Sequence, residues 1–285
     1  MKHSFITKII VDKRVFYIKR DDLIDPYLAG NKYRKLYTIL QTPPENLQQI
    51  ISYGGTQSNA MLAIAAVCHQ KKWQFIYYSK PLSNQQKEDT RGNYPLALSL
   101  GMLHKEVPLE FYKEFIASLR CNYNEKTLII DQGGANSVAQ EGLKVLAQEI
   151  RSAGLEIRSL ATPSGTGTTA LFLALALPEY RVYTTPCIGN STYLKEQMCA
   201  LVQELPENLV ILEPKKKYHF AKPYKEFYDM YKKLLDSGVE FDLLYAPAMW
   251  ESLLEQTDEE VLYIHSGGVS ANPSMLQRYE KAKKT

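Results

Sequence analysis

The sequence predicts an α/β fold with parallel sheets covered by helices on both faces. Short apolar, strand-like runs alternate with segments of helical period almost from end to end, the βαβα order that buries a parallel sheet. Small-residue or glycine-rich turns follow the strands at AGNK, GGTQSN, DQGGAN, SGTGTT and HSGG. The carboxyl ends of parallel strands are where such folds place ligands. The composition, 45% apolar and 23% charged over 285 residues, is that of a globular chain with room for one large or two smaller domains.

Taken in order, RVFYIKR (14–20) reads as a strand and residues 31–40 as a helix. QQIISYGG leads into QSNAMLAIAAVCHQKK, where Met61, Ala65 and Cys68 share a helical stripe. QFIYYSK is a strand before a polar, charged stretch that reaches NYPLALSLGM. TLIIDQGG leads to SVAQEGLKVLAQEI, SLATPSGTG to TTALFLALAL, and YRVYTTPCIG to STYLKEQMCALV. DLLYAPAM and VLYIHSGG read as two last strands running into turns. There is no repeat, low-complexity segment or long linker, so composition alone marks no domain boundary.

Several classes of function are disfavoured. Lys plus Arg minus Asp plus Glu gives 34 − 31 = +3, too mild and too dispersed for a nucleic-acid footprint. ALFLALAL (170–177) is too short to span a membrane and is followed by Pro178. The start, MKHSFITKIIVDKR, lacks a signal-peptide pattern. Cys68, Cys121, Cys187 and Cys199 lie far apart, which suggests neither a zinc site nor a disulfide framework. A reducing cytoplasm is the expected location, with neither nucleic acid nor membrane as partner.

SGTGTT (164–169) is a hydroxyl- and amide-rich cup opening a helix, without the ending of a nucleotide P-loop or a GxGxxG pattern. It is either a site for one phosphate or carboxylate, or a tight turn with a threonine-rich N-cap. In GGTQSN (54–59), Gln57, Ser58 and Asn59 either cap the next helix or hydrogen-bond a planar ligand. Capping needs only one or two such groups. His3, His69 and His104 have no metal-like spacing, and His265 reads as a structural histidine before a turn. No nucleophile elbow or Ser/His/Asp triad is visible. Lys32, in AGNKYRKLYTIL, opens a helix and so meets the unfavourable end of its dipole. Desolvation there would lower its pKa further and make it a usable amine nucleophile. The alternative is a surface cation beside Arg34 and Lys35.

KRDDL with GNKYRKL, GGTQSNAM, IDQGGANSVAQEG, SGTGTTA, DLLYAPAM and YIHSGG carry a resemblance. From about Tyr17 to Gly268 the sequence resembles the 1-aminocyclopropane-1-carboxylate deaminase and D-cysteine desulfhydrase family. These are enzymes of the tryptophan-synthase-β fold type (pyridoxal-phosphate fold type II). The resemblance implies pyridoxal 5'-phosphate in a cleft between two domains: a large one, 1–42 and 136–285, and a small inserted one, 43–135. It makes Lys32 the Schiff-base lysine and brings Lys35 toward the cofactor phosphate. Asn59 would hold the phenolic oxygen and Ser58 would face the substrate. Ser164, Gly165, Thr166, Gly167 and Thr168 match the phosphate cup. Tyr245 matches the tyrosine lying against the pyridine ring, and Ser266 the residue near its nitrogen.

Two positions depart from the deaminase branch, where a glutamate follows the stacking tyrosine and a leucine stands in the HxGG turn. Here they are Ala246 and Ser266. A second family tyrosine corresponds to Phe220 in YHFAKP. The resemblance therefore predicts a homodimeric lyase catalysing β-elimination from a small amino acid such as D-cysteine, giving pyruvate, ammonia and sulfide. Lys32 or Ser58 would move the α-proton. The alternatives are 1-aminocyclopropane-1-carboxylate deamination, another activity of the fold type such as serine or threonine dehydration or β-replacement, and, last, a non-catalytic cofactor-binding protein.

Overall fold

In the computed structural model, which describes residues 3–28, 30–119, 124–132 and 139–282, the chain begins as a hairpin. Strands β1 (Ile6–Val11) and β2 (Arg14–Lys19) pair antiparallel. Asp12 and Lys13 join them with positive φ at both positions, 49° and 65°, the mirror-image turn whose twist suits a hairpin. This antiparallel edge was not foreseen from the sequence.

Two sheets follow among the described residues. The larger has the order β1-β2-β10-β7-β8-β9, with β7 (Ser159–Ala161), β8 (Arg181–Thr184), β9 (Leu209–Ile211) and β10 (Val261–Ile264). All its pairings beyond the hairpin are parallel. The smaller sheet, β5-β4-β3-β6, is wholly parallel. Its strands are β3 (Gln49–Tyr53), β4 (Gln74–Ser79), β5 (Met102–Glu106) and β6 (Thr127–Ile130), all within residues 49–130.

The helices α1 (Asn31–Lys35), α2 (Tyr37–Gln41), α3 (Asn59–Lys71), α4 (Asn84–Glu88), α5 (Asn93–Ser99) and α6 (Tyr112–Ser118) precede the segment 133–138. After it come α7 (Ala139–Ser152), α8 (Thr168–Ala176), α9 (Ser191–Cys199), α10 (Lys225–Asp236), α11 (Ala246–Gln256) and α12 (Asn272–Ala282). Helices α3 and α8 are apolar nearly all round and correspondingly buried, as the central covering helices of a sheet must be. Helix α3 packs with Ile50, Phe75 and Tyr77 of the smaller sheet. Helix α8 packs with Leu160, Val182 and Leu262 of the larger.

Two expectations need correction. The helix expected over 31–40 is two short ones, interrupted at Leu36, whose φ of −90° and ψ of 9° leave the helical region. DLLYAPAM is not a strand. Asp242 Oδ1 accepts the N–H groups of Leu244 (3.0 Å) and Tyr245 (2.6 Å), a side-chain turn that bends the chain into α11. Pro247 then sits in the first turn of α11, where its missing N–H costs nothing. The turn residues 133–136 of DQGGAN, and the domain boundary expected at 135–136, lie outside the described residues.

Candidate active site

What holds Lys32 in place is a set of buried charges. Arg34 donates from Nε and Nη2 to the two carboxylate oxygens of Asp21 (2.9 and 2.8 Å) and from Nη1 to Glu149 Oε1 (2.6 Å). Neither Arg34 nor Asp21 has any exposed surface. Lys19 Nζ completes the group at 2.7 Å from Glu149 Oε2. Gly30 precedes α1 with a φ of +62°, and a Cβ there would lie 1.8 Å from the Ser266 carbonyl oxygen. That same oxygen accepts the Asn31 N–H at 3.3 Å. The Lys32 turn is thus laid directly on the HSGG turn that follows β10.

Lys32 is half-buried and Lys35 buried, and neither has a hydrogen-bond or ion-pair partner among the described residues. Enclosure by protein pulls the Lys32 ammonium down to about 8. Burial, with the charge of Lys32 second, pulls Lys35 lower as well. Two neighbouring ammonium groups without a carboxylate fit an anionic ligand, because a buried charge needs a counter-charge.

The cup after β7 offers the donors such an anion requires. Among the described residues, the backbone amides of Gly165, Thr166 and Gly167 donate to no backbone carbonyl. Thr166 and Thr168 hydroxyls lie 3.0 Å apart at the start of α8, where the helix dipole favours negative charge. Ser164 differs: its hydroxyl bonds Thr184 Oγ1 at 2.6 Å and its N–H the Thr185 carbonyl at 3.1 Å. Ser164 therefore shapes the cup, in which Gly165 and Thr166 are half-buried and Gly167 and Thr168 buried. A Cβ at Gly165 would come within 3.4 Å of the Tyr245 ring, which brings cup and tyrosine together.

Tyr245 stands at the N-terminus of α11, with the exposed Phe220 ring 5.3 Å away, centre to centre. Desolvation holds the Tyr245 phenol protonated, well above its ordinary range. Ser266 faces Thr162, hydroxyl to hydroxyl at 3.3 Å. His265 is structural, as expected. It stacks on Phe241 at 4.4 Å, and its Nε2 meets the Glu240 carbonyl at 2.8 Å. Ala246 supplies no carboxylate at the position after Tyr245; the carboxylate nearest in sequence, Asp242, is taken up by the Leu244 and Tyr245 N–H groups. Glu251, further along α11, is engaged by the Tyr218 hydroxyl at 2.6 Å.

From the smaller sheet, Ser58 caps α3 by accepting the Met61 N–H at 3.3 Å, and the nearby Tyr77 hydroxyl donates to the Gly55 carbonyl at 3.0 Å. Asn59 lies against Gly268, where a Cβ would sit 2.4 Å from Asn59 Nδ2. Sequence reasoning missed Tyr77, Thr162 and Asn93. Tyr77 and Thr162 look like ordinary strand residues in sequence. Asn93 follows Gly92 at a helix start, and that GN pair was the available signal.

Parallel sheets whose carboxyl-end turns meet at an amide-lined cup and two lysines without partners among the described residues make up a candidate α/β site suited to a small anionic ligand. Solved structures share the fold: an "ACC deaminase homologue" superposes with a TM-score of 0.75 at 20% identity, covering 98% of this chain and 94% of that one. Threonine deaminase isoform 2 from Solanum lycopersicum does so with a TM-score of 0.66 at 14% identity, covering 98% and 87%.

In sequence, no protein-family model matches. The chain is nevertheless similar to 1-aminocyclopropane-1-carboxylate deaminase and D-cysteine desulfhydrase proteins, as its motifs indicate. A Thermotoga maritima protein provisionally named 1-aminocyclopropane-1-carboxylate deaminase is 27% identical, over 89% of this chain and 88% of that one. The bifunctional D-cysteine desulfhydrase/1-aminocyclopropane-1-carboxylate deaminase of Arabidopsis thaliana is 23% identical, over 89% and 72%. The D-cysteine desulfhydrase of Yersinia pestis is 23% identical, over 90% and 88%.

Proposed function

We propose that this chain is a pyridoxal-phosphate-dependent lyase that carries out β-elimination on a small amino acid, D-cysteine first among them. The observation that carries the proposal is Lys32, an amine brought down to about 8 by enclosure and without a carboxylate partner among the described residues. The residues fit the cofactor. Lys32 would supply the amine for its aldehyde, Gly165 to Thr168 and Lys35 would hold its phosphate, and the Tyr245 ring would lie against its pyridine face. When bound, the cofactor supplies the electron sink. Lys32 then serves as the base at the substrate α-carbon, with a pKa close to working pH. Ser58 is less suited to that role, since its hydroxyl already accepts the Met61 N–H as the cap of α3. Ser58 and the α3 N-terminus bind and orient the substrate.

The substrate reading rests on Ala246 and Ser266. A carboxylate at the pyridine nitrogen would keep it protonated and deepen the sink, whereas a serine hydroxyl only donates a hydrogen bond. Such a sink is adequate when a thiolate leaves the β-carbon, but opening a strained ring asks for more proton handling. The relatives' names support both desulfhydration and 1-aminocyclopropane-1-carboxylate deamination. The absence of a glutamate after Tyr245, together with the engagement of Glu251 by Tyr218, favours the first. The small domain 43–135 set into 1–42 and 136–285, a homodimer and a cytoplasmic location belong to the same proposal. The confinement of the smaller sheet to residues 49–130 supports the first of these.

The test is release of 2-oxo acid from D- and L-cysteine, D- and L-serine and 1-aminocyclopropane-1-carboxylate by protein supplied with cofactor. D-cysteine should show the highest kcat/KM, and Lys32→Ala should abolish turnover. Borohydride reduction should attach the cofactor to a peptide containing Lys32. A preference for the cyclopropane substrate overturns the choice of D-cysteine. Failure to bind the cofactor at all overturns the lyase.

A further inference from the structure

Asn93 opens α5 on the smaller sheet's side, has no exposed surface, and uses every polar atom of its side chain. Its Nδ2 donates to the Gln57 backbone carbonyl at 3.0 Å and to Asn59 Oδ1 at 2.7 Å. Its Oδ1 accepts from the Ser270 hydroxyl at 2.7 Å, and its backbone N–H donates to Gln57 Oε1 at 3.0 Å. Ser270 follows β10 of the larger sheet, so the contact spans the two halves of the site. Gly92, with a φ of +83°, makes room: a Cβ there would fall 2.4 Å from Gln57 Oε1.

We propose that Asn93, held by Ser270, is a positioning residue that fixes the polarity of Asn59 and makes it a hydrogen-bond donor toward an anionic oxygen of the bound cofactor. A backbone carbonyl can only accept, so the Gln57 carbonyl dictates which end of the Asn93 amide carries hydrogens. The remaining Nδ2 hydrogen goes to Asn59, whose oxygen must therefore face Asn93. Asn59 Nδ2 is left pointing toward Gly268, with no acceptor among the described residues. An amide alone would present either end to a ligand. Here the choice is set by the Gln57 carbonyl acting through Asn93, which the Ser270 hydroxyl holds in place.

This inference rests on the cofactor reading above, and a double-mutant cycle separates the two. Asn93→Asp is nearly isosteric but replaces the donor facing Asn59 by an acceptor, so Asn59 turns its oxygen toward the cofactor. Pyridoxal phosphate titrated into the protein stripped of cofactor should bind about tenfold or more weakly to Asn93→Asp, the loss of a charge-assisted hydrogen bond. The visible absorbance of the bound cofactor should also change at higher pH, because an oxyanion deprived of a donor holds a proton more tightly. In an Asn59→Ala background the same substitution should cost about threefold or less, since its effect passes through Asn59. Ser270→Ala, which leaves Asn93 chemically intact, should weaken binding by about threefold and carries the test if Asn93→Asp does not fold. Equal losses in both backgrounds, or unchanged affinity and spectrum in Asn93→Asp and Ser270→Ala, would overturn the assignment. A wild-type protein that takes up no cofactor overturns instead the reading on which it rests.

Discussion

Three cations crowd residues 32 to 35, and their fates differ by what surrounds each. Lys32 was legible as a candidate because a lysine opening a helix is electrostatically misplaced. The division of labour between Arg34 and Lys35 was not legible, since it depends on Glu149 more than a hundred residues away. The lowered pKa of Lys32 has a consequence for stability. Below about 8 both folded and unfolded chains carry the charge, and the folded state bears the full desolvation cost. Between about 8 and the ordinary 10.5 the folded chain releases the proton while the unfolded chain keeps it. The unfolded state then binds more protons, so stability rises with pH over that window. Urea unfolding of cofactor-free protein should show this rise, and Lys32→Met should show a smaller one. Some rise persists in the variant because Lys35 is shifted in the same direction. Identical slopes in the two proteins would mean that Lys32 is solvated after all.

At the level of elements, the strands and long helices were readable from period and turn chemistry. The failures came where a side chain redirected the backbone. Asp242 bends an apolar run that otherwise reads as a strand, and α1 is too short to show a period. Gly142 is a further case: sequence places a glycine inside a good amphipathic helix without saying why. In the structure a Cβ at Gly142 would lie 1.8 Å from the Arg34 carbonyl oxygen and 2.7 Å from Tyr37 Cβ. The glycine is what lets α1 lie against α7. Gly142→Ala sets two effects against each other. Alanine improves helix propensity by up to about 1 kcal/mol. The overlap with backbone forces α1 away, at a cost of about 1–3 kcal/mol as for other overpacked sites. The clash should win, because its partner is main chain that cannot rotate aside. Thermal unfolding should show a lower Tm, and activity should fall further than stability explains, since α1 carries Lys32. A higher Tm would mean that the two helices separate without penalty.

Across the whole molecule, the α/β class followed from alternation, and glycine placement marked the turns that carry the candidate site, yet much of the motif KRDD with GNKYRK is scaffold. Arg20 closes on Asp22 at 2.7 Å, while Asp21, Arg34, Glu149 and Lys19 form one buried network linking the β2 end, α1 and α7. Sequence spacing could not show this, because the network closes only when α7 packs on α1. Its charges are two positive and two negative, so each is compensated while all four remain. For Glu149, burial alone would raise the carboxyl pKa. Hydrogen bonds from Arg34 and Lys19 outweigh that and hold it below the ordinary 4.5. A depressed carboxylate contributes stability that is fully present above its unfolded pKa and is lost as pH falls through the folded value. Glu149→Gln should therefore be clearly less stable than wild type at neutral pH, and the gap should close as acid protonates the wild-type carboxylate below 4.5. Arg34→Met should cost more at neutral pH, about 3–5 kcal/mol, because it strands Asp21 as an uncompensated buried charge and leaves Glu149 with Lys19 as its remaining cation in the network. Its deficit should also shrink in acid, when the Glu149 carboxyl becomes neutral. Urea titrations of the three proteins across pH decide the matter. A Glu149→Gln deficit that stays constant into acid would assign the loss to packing, and the network would then be a bystander to the fold that presents Lys32.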